Sequence, residues 1–126
     1  MPRFVLLAFL GVFHLIPGAL AQTAKPFTFP TAVATMLANP NTILLDVRTP
    51  EEFATGHLKG ARNIDFRAPD FRDHIAKLDP AQTYVLYCQS GNRSGQTLKL
   101  MEEAGFKNVV NAGAFKDLKA SGLESE

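Results

Sequence analysis

Residues 84–95 have the sequence Tyr84-Val85-Leu86-Tyr87-Cys88-Gln89-Ser90-Gly91-Asn92-Arg93-Ser94-Gly95. The apolar run that opens this segment is typical of a strand buried on both faces, and the turn after it leads into a helix that begins at Arg93 or Ser94. The only cysteine of the chain, Cys88, therefore lies where the strand ends and the turn begins. Because a helix N-terminus offers unpaired N–H donors and a partial positive charge, it lowers the pKa of a nearby thiol. The segment predicts that Cys88 is a nucleophilic thiolate.

The size and composition of the chain indicate one small globular domain. It has 126 residues, of which 46% are hydrophobic and 20% are charged. Its 13 Lys and Arg nearly balance its 12 Asp and Glu, which gives a net charge of +1. Since no cluster of basic residues is present, we expect no nucleic-acid partner. A compact domain with one site is predicted to be a monomer.

The first 21 residues have the pattern of a secretory signal peptide. Arg3 precedes an apolar run that Pro17 and Gly18 interrupt, and Ala19-Leu20-Ala21 forms an A-x-A cleavage site. The alternative, a membrane anchor, is disfavoured because residues 4–20 are at the short limit of the roughly 17–25 residues that a spanning helix needs. The sequence thus predicts residues 1–21 as a signal peptide and residues 22–126 as one domain, with no stable membrane association after cleavage. A single cysteine in an exported protein is either buried or a free reactive thiol.

Strands and helices alternate at short spacing along the rest of the chain. This alternation predicts an α/β fold with a mainly parallel sheet that is flanked by helices on both faces. Asp46 and Cys88 both follow apolar runs, which places them at the carboxyl ends of strands, where such folds bind ligands. The predicted strands are 43–47, 61–64, 83–87 and 108–111. The first predicted helix is 31–38, with Thr31 as its N-cap, and a second helix starts at Thr49-Pro50. The other predicted helices are 71–78, a helix that starts at residue 93 or 94 and ends at 104, and 114–120.

Three motifs in this order resemble those of the rhodanese family. The stretch Leu44–Phe53 followed by Gly56–Ile64 resembles the first signature of the family, and Cys88–Ser94 resembles its active-site loop. Asn111-Ala112-Gly113 resembles the strand and turn that close the domain. The resemblance covers nearly all of the chain after the signal peptide and is to the single-domain periplasmic rhodaneses.

This resemblance implies a rhodanese-like fold and thiosulfate sulfurtransferase activity through a cysteine persulfide. The implied partners are small molecules: thiosulfate as sulfur donor and a thiophilic acceptor, which is cyanide in an assay and a thiol or dithiol in the cell. It implies no metal and no organic cofactor, and a periplasmic location. The alternative is a sulfur carrier or partner-binding rhodanese module with little turnover of thiosulfate. Many rhodaneses have an Arg or Lys directly after the cysteine, where it helps to bind the anionic substrate. Because this chain has Gln89 at that position, the alternative stays open.

In this interpretation Cys88 is the catalytic nucleophile and the six residues after it bind the substrate. Their backbone amides are expected to form a nest that stabilises the thiolate and then the persulfide anion. Gly91 supplies backbone angles that a tight loop requires. Arg93 either holds the anionic end of the donor or braces the loop, and Ser94 is predicted to cap the following helix. The predicted substrate-binding residues are Gln89, Ser90, Gly91, Asn92, Arg93 and Ser94.

Loop length separates this chemistry from that of the cysteine phosphatases. Those enzymes have a C-x5-R loop around a phosphate, whereas four residues separate Cys88 from Arg93 here and Ser94 occupies the phosphatase arginine position. A loop of this size suits a single sulfur atom, which makes a phosphatase or an arsenate reductase the less favoured enzyme.

Three other polar residues have candidate roles near the site. Asp46 either tunes the site or bonds backbone amides at the end of its strand, and we favour the second role. Arg48 is predicted to form a structural ion pair with Glu51 or Glu52. His57 is interpreted as structural, because a thiolate that its own loop stabilises needs no general base.

Overall fold

The computed structural model describes residues 28–126, and the predicted signal peptide lies outside the described residues. The described residues form a parallel four-stranded sheet with strand order β2-β1-β3-β4. The α/β fold with a parallel sheet is therefore confirmed. The strands are β1 (Ile43–Asp46), β2 (Arg62–Asn63), β3 (Tyr84–Cys88) and β4 (Val109–Ala114).

Helices cover both faces of this sheet, as predicted. Two helices pack on one face, where Phe71 and Met101 contact a core that includes Cys88. Two others pack on the opposite face, where Val33 and Leu118 join a second core around Tyr87. The helices are α1 (Pro30–Leu37), α2 (Pro50–Ala54), α3 (Phe71–Ala76), α4 (Asn92–Glu103) and α5 (Phe115–Ala120), with α3 and α4 on the first face and α1 and α5 on the second.

The starts of the helices confirm one sequence prediction and correct three others. Thr49 caps α2 in a capping box with Glu52, as the Thr-Pro-Glu-Glu pattern predicts. Helix α1, however, starts at Pro30, so Thr31 lies inside it and is not its N-cap. Helix α4 starts at Asn92, because Gly91 is the N-cap with φ +93°. Ser94 thus lies within the first turn, and its predicted role as a helix cap is wrong.

A change of register between β3 and β4 shapes the end of the sheet where Cys88 lies. Leu86 pairs with Asn111, but the next residue, Tyr87, pairs with Gly113. A register change of this kind alters the direction in which side chains beside a site point. Leu58, which packs in the second core, forms an antiparallel bridge with Ser125. None of the helices in residues 28–126 is long and apolar enough to cross a bilayer.

Candidate active site

The sulfur of Cys88 lies at the carboxyl end of β3, under three hydrogen-bond donors. Sγ accepts hydrogen bonds from the Gly91 amide at 3.0 Å, the Ser94 amide at 3.5 Å and the Ser94 hydroxyl at 3.4 Å. Cys88 is fully buried, with 0% of its surface exposed. The sulfur is therefore shielded from solvent by the residues around it.

These donors decide the ionisation of the thiol. Burial raises the pKa of Cys88, but the Ser94 hydroxyl and the backbone amides of Ser94, Gly91 and Ser90 lower it by more, and the net pKa lies below its ordinary value. The first turn of α4 adds the positive end of the helix dipole. The arrangement favours a thiolate in a site that excludes water, as expected for a sulfur nucleophile.

The loop depends on Gly91 and on a buried residue of β4. Gly91 adopts φ +93°, which other residues rarely do, and this turns its amide toward the sulfur. The Asn111 side chain donates a hydrogen bond to the Gly91 carbonyl at 3.2 Å and accepts one from the Gly113 amide at 3.0 Å. Asn111 is 2% exposed. The sequence placed Asn111 at the end of a predicted strand and in the closing family motif, but the role of this residue as an anchor of the loop was missed.

Arg93 is held by Glu52. Its two terminal nitrogens donate to the two carboxylate oxygens at 2.7 and 3.0 Å, and the same carboxylate accepts hydrogen bonds from the backbone and hydroxyl of Thr49. The hydrogen bond from Arg93 lowers the pKa of Glu52 to about 2, although burial opposes this. Of the two roles open for Arg93, the structure shows the contacts of a brace, which ties α4 to α2.

Arg48 pairs with Asp46, so the predicted pair with Glu51 or Glu52 is wrong. Arg48 Nε lies 3.0 Å from both oxygens of Asp46, and Nη2 donates to Oδ2 at 2.7 Å and to the Gly56 carbonyl at 2.7 Å. The guanidinium carbon lies 4.3 Å from the ring centre of Phe115. Both charged side chains are buried, with exposures of 2% and 0%. Asp46 also accepts the Arg48 backbone amide at 2.9 Å, which is the structural role favoured for it.

The remaining loop residues face solvent. Gln89, Ser90 and Asn92 are exposed, while Cys88 and Gly91 are buried. Gln89 accepts a long hydrogen bond of 3.4 Å from Arg48 Nη1, which links the residue after the cysteine to the buried ion pair. The seven predicted site residues thus run from the last residue of β3 through a short turn into the first turn of α4. Of the six that follow Cys88, Gly91 and Ser94 donate hydrogen bonds to its sulfur.

Comparison with known protein families identifies this loop. Residues 29–121 match the rhodanese-like domain. The chain belongs to the rhodanese family. The family resemblance drawn from the three motifs is therefore confirmed, and the sheet with Cys88 at its carboxyl edge is a rhodanese-like fold.

Relatives of this rhodanese include proteins with assigned reactions. The chain is 38% identical over 74 residues to the thiosulfate sulfurtransferase PspE of Escherichia coli strain K12, covering 59% of this chain and 71% of that protein. It is 31% identical over 96 residues to the thiosulfate:glutathione sulfurtransferase of Saccharomyces cerevisiae, covering 67% and 69%. A solved E. coli rhodanese with anions has 33% identity and a TM-score of 0.57, covering 68% of this chain and 96% of that one. These relatives support a sulfurtransferase of the rhodanese type.

The side chain of His57 contacts Phe53 and Glu126, in agreement with its structural interpretation. Its ring stacks on Phe53 with 3.7 Å between ring centres, and Nδ1 lies 3.0 Å from the Phe53 carbonyl. Nε2 faces the Glu126 carboxylate at 3.4 Å. Within residues 28–126, no group of three or more His, Cys, Asp or Glu side chains is arranged to hold a metal ion.

Proposed function

We propose that this rhodanese is a thiosulfate sulfurtransferase that carries sulfane sulfur on Cys88 and passes it to a thiophilic acceptor. The observation that carries this proposal is the set of three hydrogen bonds aimed at Cys88 Sγ from Gly91 and Ser94. They stabilise a thiolate before the reaction and suit a persulfide anion after it, and preorganised donors of this kind are a main source of catalysis. The loop residues from Gln89 to Ser94 form the rim at which the donor binds.

The reaction transfers one sulfur atom in two displacements. The Cys88 thiolate attacks the outer sulfur of thiosulfate, a bond forms between the two sulfurs, and the S–S bond of thiosulfate breaks so that sulfite leaves with its electron pair. A nucleophilic acceptor then attacks the outer sulfur of the persulfide. The Cys88–sulfur bond breaks, the acceptor leaves with the sulfur atom, and Cys88 returns as a thiolate. Neither step needs a redox partner or a metal.

A second candidate function is a sulfur carrier with little turnover of thiosulfate. Thiosulfate is a dianion, and a cation near the loop would help to bind it. Here Gln89 is neutral, and Arg93 already forms an ion pair with Glu52 through two hydrogen bonds. This charge pattern favours slow transfer of sulfur from thiosulfate to Cys88, and it is compatible with a different sulfur donor in the cell.

Sulfur transfer by residues 22–126 tests both candidates. Thiosulfate and cyanide are supplied as donor and acceptor, thiocyanate is measured, and Cys88→Ser is the control. Intact mass after thiosulfate alone reports the persulfide. Thiocyanate over many turnovers, with a gain of one sulfur atom on the wild type only, is the result expected of the enzyme. Loading without turnover would replace the enzyme with the carrier, and absence of loading would overturn both.

We also propose that the protein is exported to the periplasm with cleavage after Ala21. The proposal rests on the signal-peptide pattern of residues 1–21. Expression of the full chain in a Gram-negative host, followed by periplasmic extraction and intact mass, tests it. A periplasmic species that starts at Gln22 is expected, and an uncleaved cytoplasmic product would contradict it.

A further inference from the structure

The side chain of Asn111 lies at the irregular position of β4. The pairing with β3 passes from Asn111 directly to Gly113, so β4 has one residue more than β3 at this point. An inserted residue disrupts the regular hydrogen bonds of a ladder and leaves backbone groups that need other partners. The Gly113 amide follows the inserted residue and donates to Asn111 Oδ1 at 3.0 Å. Asn111 thus supplies a hydrogen-bond acceptor where the register changes.

The bond to Gly113 decides which way the Asn111 amide group is turned. A backbone N–H can only donate, so the atom that faces Gly113 must be the side-chain oxygen. The side-chain nitrogen, Nδ2, is then free to donate, and it does so to the Gly91 carbonyl at 3.2 Å. The residue is almost completely buried, and its backbone carbonyl accepts the Thr28 amide at 2.8 Å. Position 111 therefore requires a short side chain that is donor and acceptor at once.

Gly91 is the residue that this contact holds. It has φ +93° and ψ −5°, and because glycine has no Cβ, its backbone angles are easily changed. Its carbonyl accepts two hydrogen bonds, from the Gly95 amide of α4 at 3.0 Å and from Asn111 of β4. The bond to the helix alone would allow the loop and the helix to move together. The bond to β4 fixes the loop relative to the sheet that carries Cys88.

The residue held in this way donates the shortest of the three hydrogen bonds to Cys88 Sγ described above. The Gly91 amide lies 3.0 Å from Sγ, compared with 3.5 and 3.4 Å for the amide and hydroxyl of Ser94. Hydrogen bonds weaken steeply when the donor is turned away from the acceptor. A rotation of Gly91 would therefore remove the closest of these donors from the sulfur.

We propose that Asn111 is a positioning residue for the reaction of Cys88, because its side chain holds the Gly91 carbonyl and so keeps the Gly91 amide directed at Sγ. The inference deepens the proposed function and rests on it for the consequence in sulfur transfer. Asn111 acts through Gly91 rather than on the substrate. Its loss leaves the amide less firmly directed at Sγ, both in the thiolate and in the persulfide.

The charged side chains around the loop stay the same when residue 111 changes. Arg93 on α4 interacts electrostatically with the thiol and is paired with Glu52 of α2. Arg48, which follows β1, is paired with Asp46. Lys99 of α4 lines a hollow beside the loop. A substitution at position 111 changes none of these charges, so a shift in the ionisation of the thiol reports the hydrogen bonds of the loop.

The test compares Asn111→Ser with Asn63→Ser. A serine hydroxyl can accept the amide two residues further on, as in turns, but it is too short to reach the Gly91 carbonyl as well. Asn63 of β2 is the matched control, because its side-chain amide also donates to backbone carbonyls, which are those of Asp46 and Arg48.

Two measurements follow the thiol over a range of pH. The ultraviolet absorbance of the thiolate, with Cys88→Ser as the blank, gives the midpoint of ionisation and needs no reagent to reach the buried sulfur. Transfer of sulfur from thiosulfate to cyanide gives kcat/KM at each pH. For Asn111→Ser, the midpoint is expected to rise by about one pH unit, as for the loss of one hydrogen bond to a charged group. Because only the thiolate reacts, kcat/KM is expected to fall about tenfold below both midpoints and to recover above them.

The control, Asn63→Ser, is expected to keep the wild-type midpoint and pH profile. An unchanged midpoint in Asn111→Ser would overturn the inference, and so would an equal shift in both variants, which would show a general loosening of the domain. A loss of activity that is the same at every pH would also overturn it, because that pattern indicates structural damage.

Urea unfolding shows whether the variants are folded. Asn111→Leu, which keeps a similar side-chain volume and removes both bonds, replaces Asn111→Ser if that variant does not fold, with the same expected shift. If the wild type transfers no sulfur, the proposed function fails. A midpoint that shifts in the Asn111 variant alone would still support the hold of Asn111 on Gly91, so the two failures are distinguishable.

Discussion

The Ser94 hydroxyl donates a hydrogen bond to Cys88 Sγ across 3.4 Å, although the two residues belong to different secondary-structure elements. Ser94 is completely buried in the first turn of α4. It therefore presents both its hydroxyl and its backbone amide to the sulfur. The sequence predicted Ser94 to be a helix cap, but in the structure it is one of the groups that lower the pKa of the Cys88 thiol.

Replacing Ser94 with Ala is expected to raise the pKa of Cys88. The hydroxyl stabilises the charged form, and loss of a hydrogen bond to a charged group shifts the pKa by about one pH unit. Alkylation by iodoacetamide, followed by mass spectrometry over a range of pH, gives the midpoint of thiolate formation. Ser121→Ala, which removes an exposed hydroxyl elsewhere, is the control and should leave the midpoint in place. An unchanged midpoint in Ser94→Ala would assign the lowered pKa to the backbone amides alone.

Replacing Glu52 with Gln is expected to reduce the free energy of unfolding by about 1–2 kcal/mol at neutral pH, since the carboxylate bonds both Arg93 nitrogens. Its pKa is lowered to about 2 in the folded protein, so the stabilisation is present at pH values above the carboxyl's unfolded pKa and is lost as the pH falls toward 2. Urea unfolding at neutral and acidic pH measures this. Glu51→Gln, which removes the same charge from the adjacent exposed position, is the matched control. A difference between wild type and Glu52→Gln that persists undiminished at the lowest pH would refute the assignment.

Replacing Asp46 with Asn is expected to destabilise the fold by about 3–5 kcal/mol, because it leaves the buried Arg48 guanidinium without its counter-charge. Chemical denaturation compares this variant with Asp73→Asn, an exposed carboxylate on α3, for which little change is expected. If the two variants lost similar stability, the buried pair would not be a structural anchor.

Replacing Gln89 with Arg is expected to lower KM for thiosulfate about threefold, because it adds a cation beside a loop in which Arg93 is already paired. The effect should weaken as ionic strength rises. Gln89→Leu removes the contact with Arg48 but adds no charge, and its KM is not expected to fall. A lower KM in both variants would attribute the change to the lost contact.

Local patterns were sufficient to predict much of the chain. The apolar runs at 43–47 and 83–87 form the central strands, and the Thr49 pattern forms its capping box, because these features depend on residues a few positions apart. The cysteine loop followed from the same kind of information. A strand end, a glycine and a helix start place a sulfur at backbone amides wherever the rest of the chain lies.

The partners of the charged side chains depended on the tertiary structure. Glu52 pairs with Arg93, 41 residues away, because the parallel pairing of β1 and β3 brings α2 and α4 to the same edge of the sheet. Asn111 reaches the Gly91 carbonyl only because β4 lies beside β3 with a shifted register. A charged or polar side chain can bond many different groups of suitable charge. The sequence alone therefore determined which side chains need a hydrogen-bond or ionic partner, and where along the fold the thiol lies. The order of the strands decided which partner each of these side chains has.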